Sequence, residues 1–326
     1  MISYLSRRVV HALLTLFGIL TFAFVLIHAV PGDPVSFAAH TGRSRAVPRE
    51  VLEAARREYH LDEPIAIQYV SWMRRMVSLD LGRSFVDQRP VYEKIAEKVP
   101  NTFFLNLAAF LGASVLALAM GIASASPLQR SRRRGVSFSI LYSLPNFWVA
   151  LLLIEVAAVR FDILPLYGMV SDGHDELSTA AQLVDRLRHL ILPAVTLGYA
   201  QFALFARFAV TSLDEVITKD YIVTARAKGV SSRGVVVRHA LRNAMIPLVS
   251  LLGLAVPLLL SGSVIVEQIF QWDGIGSLYF QSLLARDYPT IMGLTVITAV
   301  VTLLASLVTD LLYFLVDPRI RIEEGR

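Results

Sequence analysis

In the stretch SDGHDE, Asp172, His174, Asp175 and Glu176 lie within five residues, and their oxygen and imidazole donors are of the kind divalent cations take. The spacing is neither that of an EF-hand loop nor that of a histidine pair on one helix face, so a solvated turn without metal is expected. Nucleotide chemistry has no phosphate cradle, because no G-x-x-x-x-G-K-[ST] stretch occurs. There is no cysteine, and no nucleophile stands beside an evident base. The expectation is a chain that is no enzyme and carries no cofactor of its own.

Three ionisable residues interrupt otherwise apolar runs: Glu155, Arg207 and Asp310. A charge at the centre of a bilayer costs about 2.5–3.5 kcal/mol on insertion scales, so each needs a reason. Arg207 can snorkel to the interface, and Asp310 is near enough to the end of its run to meet a cation there. Glu155 is the better candidate for a polar pathway wall or an intersubunit partner.

The densest signal is DYIVTARAKGVSSRGVVVRHALRNAMIP, Asp220–Pro247, with six cations from Lys219 to Arg242. Leu213 to Lys228 is rich in helix formers, Gly229 suits a left-handed helix end, and Ser231 or Ser232 can cap a second helix from about Arg233. Two short helices joined at Gly229 are therefore predicted. Ala225, Ala227 and Gly229 are small enough to let another surface approach the backbone. Arg238 with Arg242, and His239 with Asn243, give the second helix a polar face, while Val236, Val237, Ala240 and Leu241 give it an apolar one. Anionic lipid and a groove on another protein both suit such a unit, and the residues alone leave the two open. Nucleic acid is disfavoured, since no aromatic residues interleave the cations.

The elements that must position these residues look membrane-bound. Apolar residues make up 55% of the chain and charged residues 17%, against about 45–50% and about 25% in soluble domains. Six segments are long enough to cross about 30 Å of hydrocarbon: Val9–Val30, Thr102–Ser124, Val136–Ala158, Leu190–Thr211, Ala244–Val266 and Ile291–Val316. They are expected to be helices, giving an all-α, six-span protein, with Pro145, Pro193, Pro247 and Pro257 as breaks or starts. A cleaved signal peptide is not expected at the first span, whose apolar run is too long and whose HAVPGDP exit lacks a small-x-small site.

Sidedness follows from the cations. Arg7 and Arg8, the cluster Arg130 to Arg134, the Asp220–Pro247 stretch and Arg319 to Arg326 all fall inside if the N-terminus does, against Arg186, Arg188 and Arg286 in short outer connections. Both termini are thus expected in the cytoplasm. The long outer segment Pro31–Asn101 nearly cancels its eleven cations with ten acids. It should form short amphipathic helices: VPREVLEAARREYH with Pro48 near its start, PIAIQYVSWMRRM with Ile65, Tyr69, Trp72 and Met76 in register, and RPVYEKIAEKVP with Val91, Ile95 and Val99.

Several of these stretches together resemble the inner-membrane permease subunits of bacterial ABC importers, in particular the dipeptide, oligopeptide and nickel group. The residues that carry the likeness are Asp220 and Tyr221, TARAKG from Thr224 to Gly229, HALRNA from His239 to Ala244, and Ile246 with Pro247. YLSRRVVHALLTLFGILTFAFVLIHAVPGDPV, LDLGRSF, LPNFWVALLLI, VIVEQIFQWDGIGSLYFQSLLARDYP and VDPRIR add to it in order. The resemblance implies a type I importer permease fold, with a first span and periplasmic helical segment over 1–101, and a five-helix core over 102–326 with a coupling loop at about 213–243. It implies a B-type subunit paired with a related C-type one. It also implies two cytoplasmic ATPases using ATP and Mg, and a periplasmic or lipid-anchored binding protein.

By the same likeness, Asp220, Tyr221, Thr224, Ala225, Arg226, Ala227, Lys228, Gly229, His239, Arg242, Asn243 and Pro247 form the ATPase-coupling loop, with Ala225 and Ala227 at the close contact. Val223, Thr224 and Ala225 stand where importers in general carry Glu-Ala-Ala, which removes one acidic contact. Dipeptides, longer peptides and nickel chelates all remain open as cargo. The rival from another class is a membrane-embedded enzyme or sensor that binds lipid through the cationic insert.

Overall fold

The computed structural model describes residues 2–29, 56–57, 62–124, 133–231, 234–245, 259 and 262–316. In chain order its helices are α1 (Ile2–Ala29), α2 (Ile65–Val77), α3 (Val91–Ser124), α4 (Arg133–Tyr142), α5 (Asn146–Leu153), α6 (Thr179–Ile217), α7 (Asp220–Ala227), α8 (Val264–Ile269), α9 (Ile275–Leu284) and α10 (Tyr288–Val316). Among the described residues, four stretches are long and apolar enough to cross a membrane: Ser6–Leu26, Val91–Ser124, Thr179–Ile217 and Tyr288–Val308. The chain divides into two compact units, one of Met1–Thr102, Leu260–Val264 and Asp273–Val308, the other of Phe103–Leu259, Ile265–Trp272 and Thr309–Arg326.

The first unit is built around Leu20 and Phe24 of α1, Trp72 and Met76 of α2, Val91 and Ile95 of α3, and Met292 and Leu294 of α10. The amphipathic register read for α2 holds for Trp72 and Met76, whereas Ile65 is exposed. Val91 and Ile95 are buried as their spacing predicts, but they do not belong to a separate short helix. They open α3, which runs 34 residues with Pro100 inside it, eleven residues earlier than the expected span. The loop before α3 is pinned by Asp287, 1% exposed, which accepts hydrogen bonds from Ser84 Oγ (2.5 Å), the Phe85 amide (2.9 Å) and Thr290 Oγ1 (2.6 Å). Lys94 Nζ donates to Ser84 Oγ at 2.9 Å and lies 3.0 Å from Asp87 and 3.5 Å from Asp287, so the buried charges are matched. The stretch Val47–His60 lies mostly outside the described residues.

In the second unit small residues let helices meet backbone to backbone. Ala109, Ala113, Ala117 and Gly121 recur every four residues along α3 and are buried. A Cβ at Gly198 of α6 would stand 2.9 Å from the Ala109 carbonyl, and one at Gly121 would stand 2.8 Å from Ala209 Cβ. Such close approach is how helices associate where lipid offers no hydrophobic drive. Pro193, expected as a break or a start, lies inside α6, which runs 39 residues. Pro145 does interrupt its span: α4 ends at Tyr142, α5 begins at Asn146, and a π-helical run covers Ile154–Arg160. The buried Tyr199 hydroxyl donates to the Leu144 carbonyl at 2.5 Å, satisfying a backbone group that the break exposes, and lies 2.8 Å from Asn146 Oδ1. Most of the expected span Ala244–Val266, with Pro247 and Pro257, lies outside the described residues.

Candidate functional site

The cationic stretch folds as a small body at the end of α6. A turn at Thr218 and Lys219 separates α6 from α7, so the first short helix starts at Asp220 rather than continuing from Leu213. Asp220 occupies the first turn and Arg226 the last, as the helix dipole favours. The helix ends in a Schellman motif: Gly229, at φ +81°, donates from its amide to the Arg226 carbonyl at 2.9 Å, and Val230 donates to Ala225 at 3.2 Å. Ser231 Oγ then accepts the Gly234 amide at 3.3 Å, the expected capping role.

The second helical run, 234–245, is π-helical from Val235 to Ala240 and α-helical beyond. The wider turn changes which side chains face inward. Val235, Val236, Ala240 and Ala244 are buried, while Val237, read as part of the apolar face, is exposed. Together with Ile222 and Ala225 of α7 they pack on Leu213 and Ile217 of α6. Ala225 is thus a core residue of the loop. The surface includes Asp220, Tyr221, Thr224, Arg226, Ala227, Lys228, Gly229, Arg238, Arg242 and Asn243, all exposed, together with Val223 and Val237, and His239 is half-buried. Asn243 Nδ2 donates to the Tyr221 hydroxyl at 2.8 Å, and Thr224 Oγ1 donates to the Asp220 carbonyl at 3.0 Å. Pro247 lies outside the described residues.

Of the ionisable residues within apolar runs, Glu155 is exposed on the π-helical run after α5 and Arg207 is exposed on α6. The Asp310 side chain lies outside the described residues. Glu267 of α8 is fully buried. In the sequence it follows directly on the expected span end at Val266, where a charge would face water.

The SDGHDE turn is only partly solvated. Asp172, Asp175 and Glu176 are exposed, but His174 is buried against α6, with Nδ1 2.7 Å from Asp185 Oδ2 and Nε2 accepting from Arg186 Nε at 3.2 Å. Asp185 also accepts from Ser171 Oγ at 2.6 Å and from the Ser171 amide at 3.0 Å, and its backbone carbonyl lies 2.9 Å from His189 Nδ1. This network ties the turn to α6. Among the described residues no group of three or more His, Asp or Glu is placed to hold a metal.

A helical, membrane-spanning chain that offers an exposed basic two-helix body is the architecture of a transport-system membrane component. The family described as binding-protein-dependent transport system inner membrane component matches residues 102–322, and its N-terminal counterpart matches residues 1–106. The chain belongs to this family and is a permease component. It is 38% identical over 323 residues to the oligopeptide transport system permease protein AppB of Bacillus subtilis (strain 168), covering 98% of this chain and 99% of that one. It is 36% identical over 324 residues to the glutathione transport system permease protein GsiC of Escherichia coli (strain K12), and 34% identical over 325 residues to that of Salmonella typhimurium, with the same coverage.

Proposed function

We propose that the chain forms half of the translocation pathway of an ATP-driven importer of short peptides, paired with a related C-type permease. The observation that carries the coupling role is the basic body at the end of α6, whose core holds it together while its cations face outward. In this reading two cytoplasmic ATPases, which bind ATP and Mg, grip α7 and the run 234–245, and an external binding protein delivers cargo. The peptide class is supported by the chain-long likeness to oligopeptide and glutathione permeases. In this reading nucleotide and its Mg are bound by the partner ATPases and not by this chain.

The topology that accompanies this reading has six crossings with both termini cytoplasmic, a periplasmic segment within 1–101 and a permease core over 102–326. Four crossings are the long apolar helices; in this reading α4, α5 and the π-helical run form another, and the sixth is the one expected from the sequence over Ala244–Val266, most of which lies outside the described residues. Glu155 and Arg207 face outward from the chain, which supports contact with the pathway or the paired subunit. Closure of the ATPases would then move the spans as rigid bodies.

Co-purification tests the proposal. The assembled transporter should retain its ATPase in detergent, and Gly229→Val should lose it while the permease stays folded and paired. Binding of the permease to anionic vesicles with no ATPase partner would instead favour a lipid-binding sensor.

A further inference from the structure

α2 touches α1 at two levels. The Tyr69 hydroxyl lies 2.8 Å from Thr21 Oγ1, while Gln68 Oε1 lies 3.2 Å from His28 Nε2. Trp72 packs on Phe24 between them, the ring centroids 5.5 Å apart. Gln68 and Tyr69 are neighbours in the chain, yet their partners on α1 stand about 10 Å apart along the helix at 1.5 Å per residue. That distance is close to the width of a helix, so α1 meets α2 at both flanks and the two cross steeply instead of lying side by side. Thr21 belongs to the span Ser6–Leu26, and His28 lies just past its end. α2 is therefore held where hydrocarbon gives way to headgroups, with its axis close to the membrane plane.

The two flanks of α2 differ as that position demands. At about 100° per residue, Tyr69 shares its flank with Ala66, Val70, Met73 and Val77, and Gln68 shares the other with Ser71, Arg75 and Ser78. The apolar flank is the one on the Thr21 side, toward the bilayer centre, and the polar flank is on the His28 side, toward water. Trp72 and Met76 lie between the flanks and enter the core of the unit. Val70 and Val77 are 64% and 79% exposed, so among the described residues nothing covers them. Arg74, also exposed, stands on the face turned away from α1, where a long side chain can lift its charge to the headgroups.

We propose that α2 is an interfacial helix whose Val70 and Val77 flank is seated in the acyl-chain edge of the bilayer, with Arg74 among the lipid phosphates. The partner is the lipid surface as a whole. The crossing of α1 and the order of residues around α2 are independent of each other, and both put the helix at the same depth and the same way up. Seated there, α2 fixes the level of α1 along the membrane normal. The inference rests on α1 spanning the membrane and is independent of the cargo and of the ATPases.

The chain has no cysteine, so in a transporter whose other subunits are cysteine-free, Val70→Cys, Val77→Cys and Ser78→Cys each carry a single bimane probe. Phe22→Cys, exposed on α1 beside Thr21, is the reference within hydrocarbon. The whole transporter is placed in nanodiscs without binding protein and quenched either by iodide or by a phospholipid with a nitroxide near the top of its acyl chain. Positions 70 and 77 should match position 22, quenched by the lipid and shielded from iodide, whereas position 78 should be quenched by iodide. Iodide quenching at 70 and 77 equal to that at 78, with 22 still quenched by lipid, would overturn the proposal and leave the span of α1 intact. Shielding of 70 and 77 from both quenchers would overturn it in favour of a protein covering this flank. Failure of the lipid to quench position 22 would overturn the membrane span of α1, and the seat of α2 with it.

Discussion

Asn243 donates to the Tyr221 hydroxyl across 2.8 Å, joining the first turn of α7 to the end of the second helical run. The two residues are 22 apart in sequence and both exposed, so the bond fixes the shape of the surface rather than its core. Tyr221→Phe removes the acceptor and should cost about 1 kcal/mol of loop order. Titration of purified ATPase onto the permease pair should show weaker binding, and Asn243→Ala in the same background should add little. Additive losses would mean that the two residues act separately.

Gly229 is required for its backbone, not for space. Nothing lies within 4 Å of a Cβ placed there, yet its φ is +81°. A β-branched residue in the left-handed region should cost more than the roughly 1–2 kcal/mol typical of L-residues, and asparagine less. The expected order for ATPase association is Gly, then Asn, then Val. Equal behaviour of Asn and Val would point to a contact with the side-chain position itself.

Gly198 is the opposite case, its conformation ordinary and its surroundings full. Gly198→Leu would drive a side chain into the Ala109 carbonyl 2.9 Å from the Cβ position, forcing α3 and α6 apart. Thermal unfolding in detergent should fall sharply for Gly198→Leu. Gly112→Ala, with nothing within 4 Å, should leave it unchanged or raised.

The clasp before α3 responds to charge removal and to acid. Asp287→Ala leaves Lys94 with Asp87 alone and takes the acceptor from the buried Phe85 amide and Thr290 hydroxyl, and a cost of about 1–3 kcal/mol is expected. Burial disfavours the Asp87 carboxylate, but the Lys94 hydrogen bond and the Arg89 amide outweigh it and hold the carboxyl below its usual 3.8. A folded-state value below the unfolded one stabilises fully above about pH 4 and stops doing so as pH falls through the lowered value. The stability gap between wild type and Asp87→Asn, followed by melting from pH 6 to pH 3, should therefore close on acidification.

Much of the fold could be read from periodicity and length. The spans starting near Val9, Thr102, Leu190 and Ile291 correspond to α1, α3, α6 and α10, because a long apolar run has few other uses. Their ends were less legible. Val91 and Ile95 carried the right spacing for a short outer helix, and only the core they enter shows that it continues into α3. Pro193 reads as a breaker in isolation, yet α6 passes through it. At the candidate site Gly229 and Ser231 were visible through their turn chemistry. The π-helical run was not, since residues 235–240 carry no composition that separates five-residue from four-residue hydrogen bonding; with α-helical spacing Val237 reads as inward, whereas the wider turn buries Val235 and exposes Val237. The His174–Asp185 contact joins residues that no motif links.

The cluster uniting Leu213 and Ile217 with Ile222, Val235, Val236 and Ala240 has a mechanical meaning. Close-packed interiors are barely compressible, so α7 and its neighbour cannot yield separately under load. A force applied at Arg226 or Arg242 reaches α6 without slack, and displacement at the tip becomes displacement of the long helix instead of being absorbed along the way.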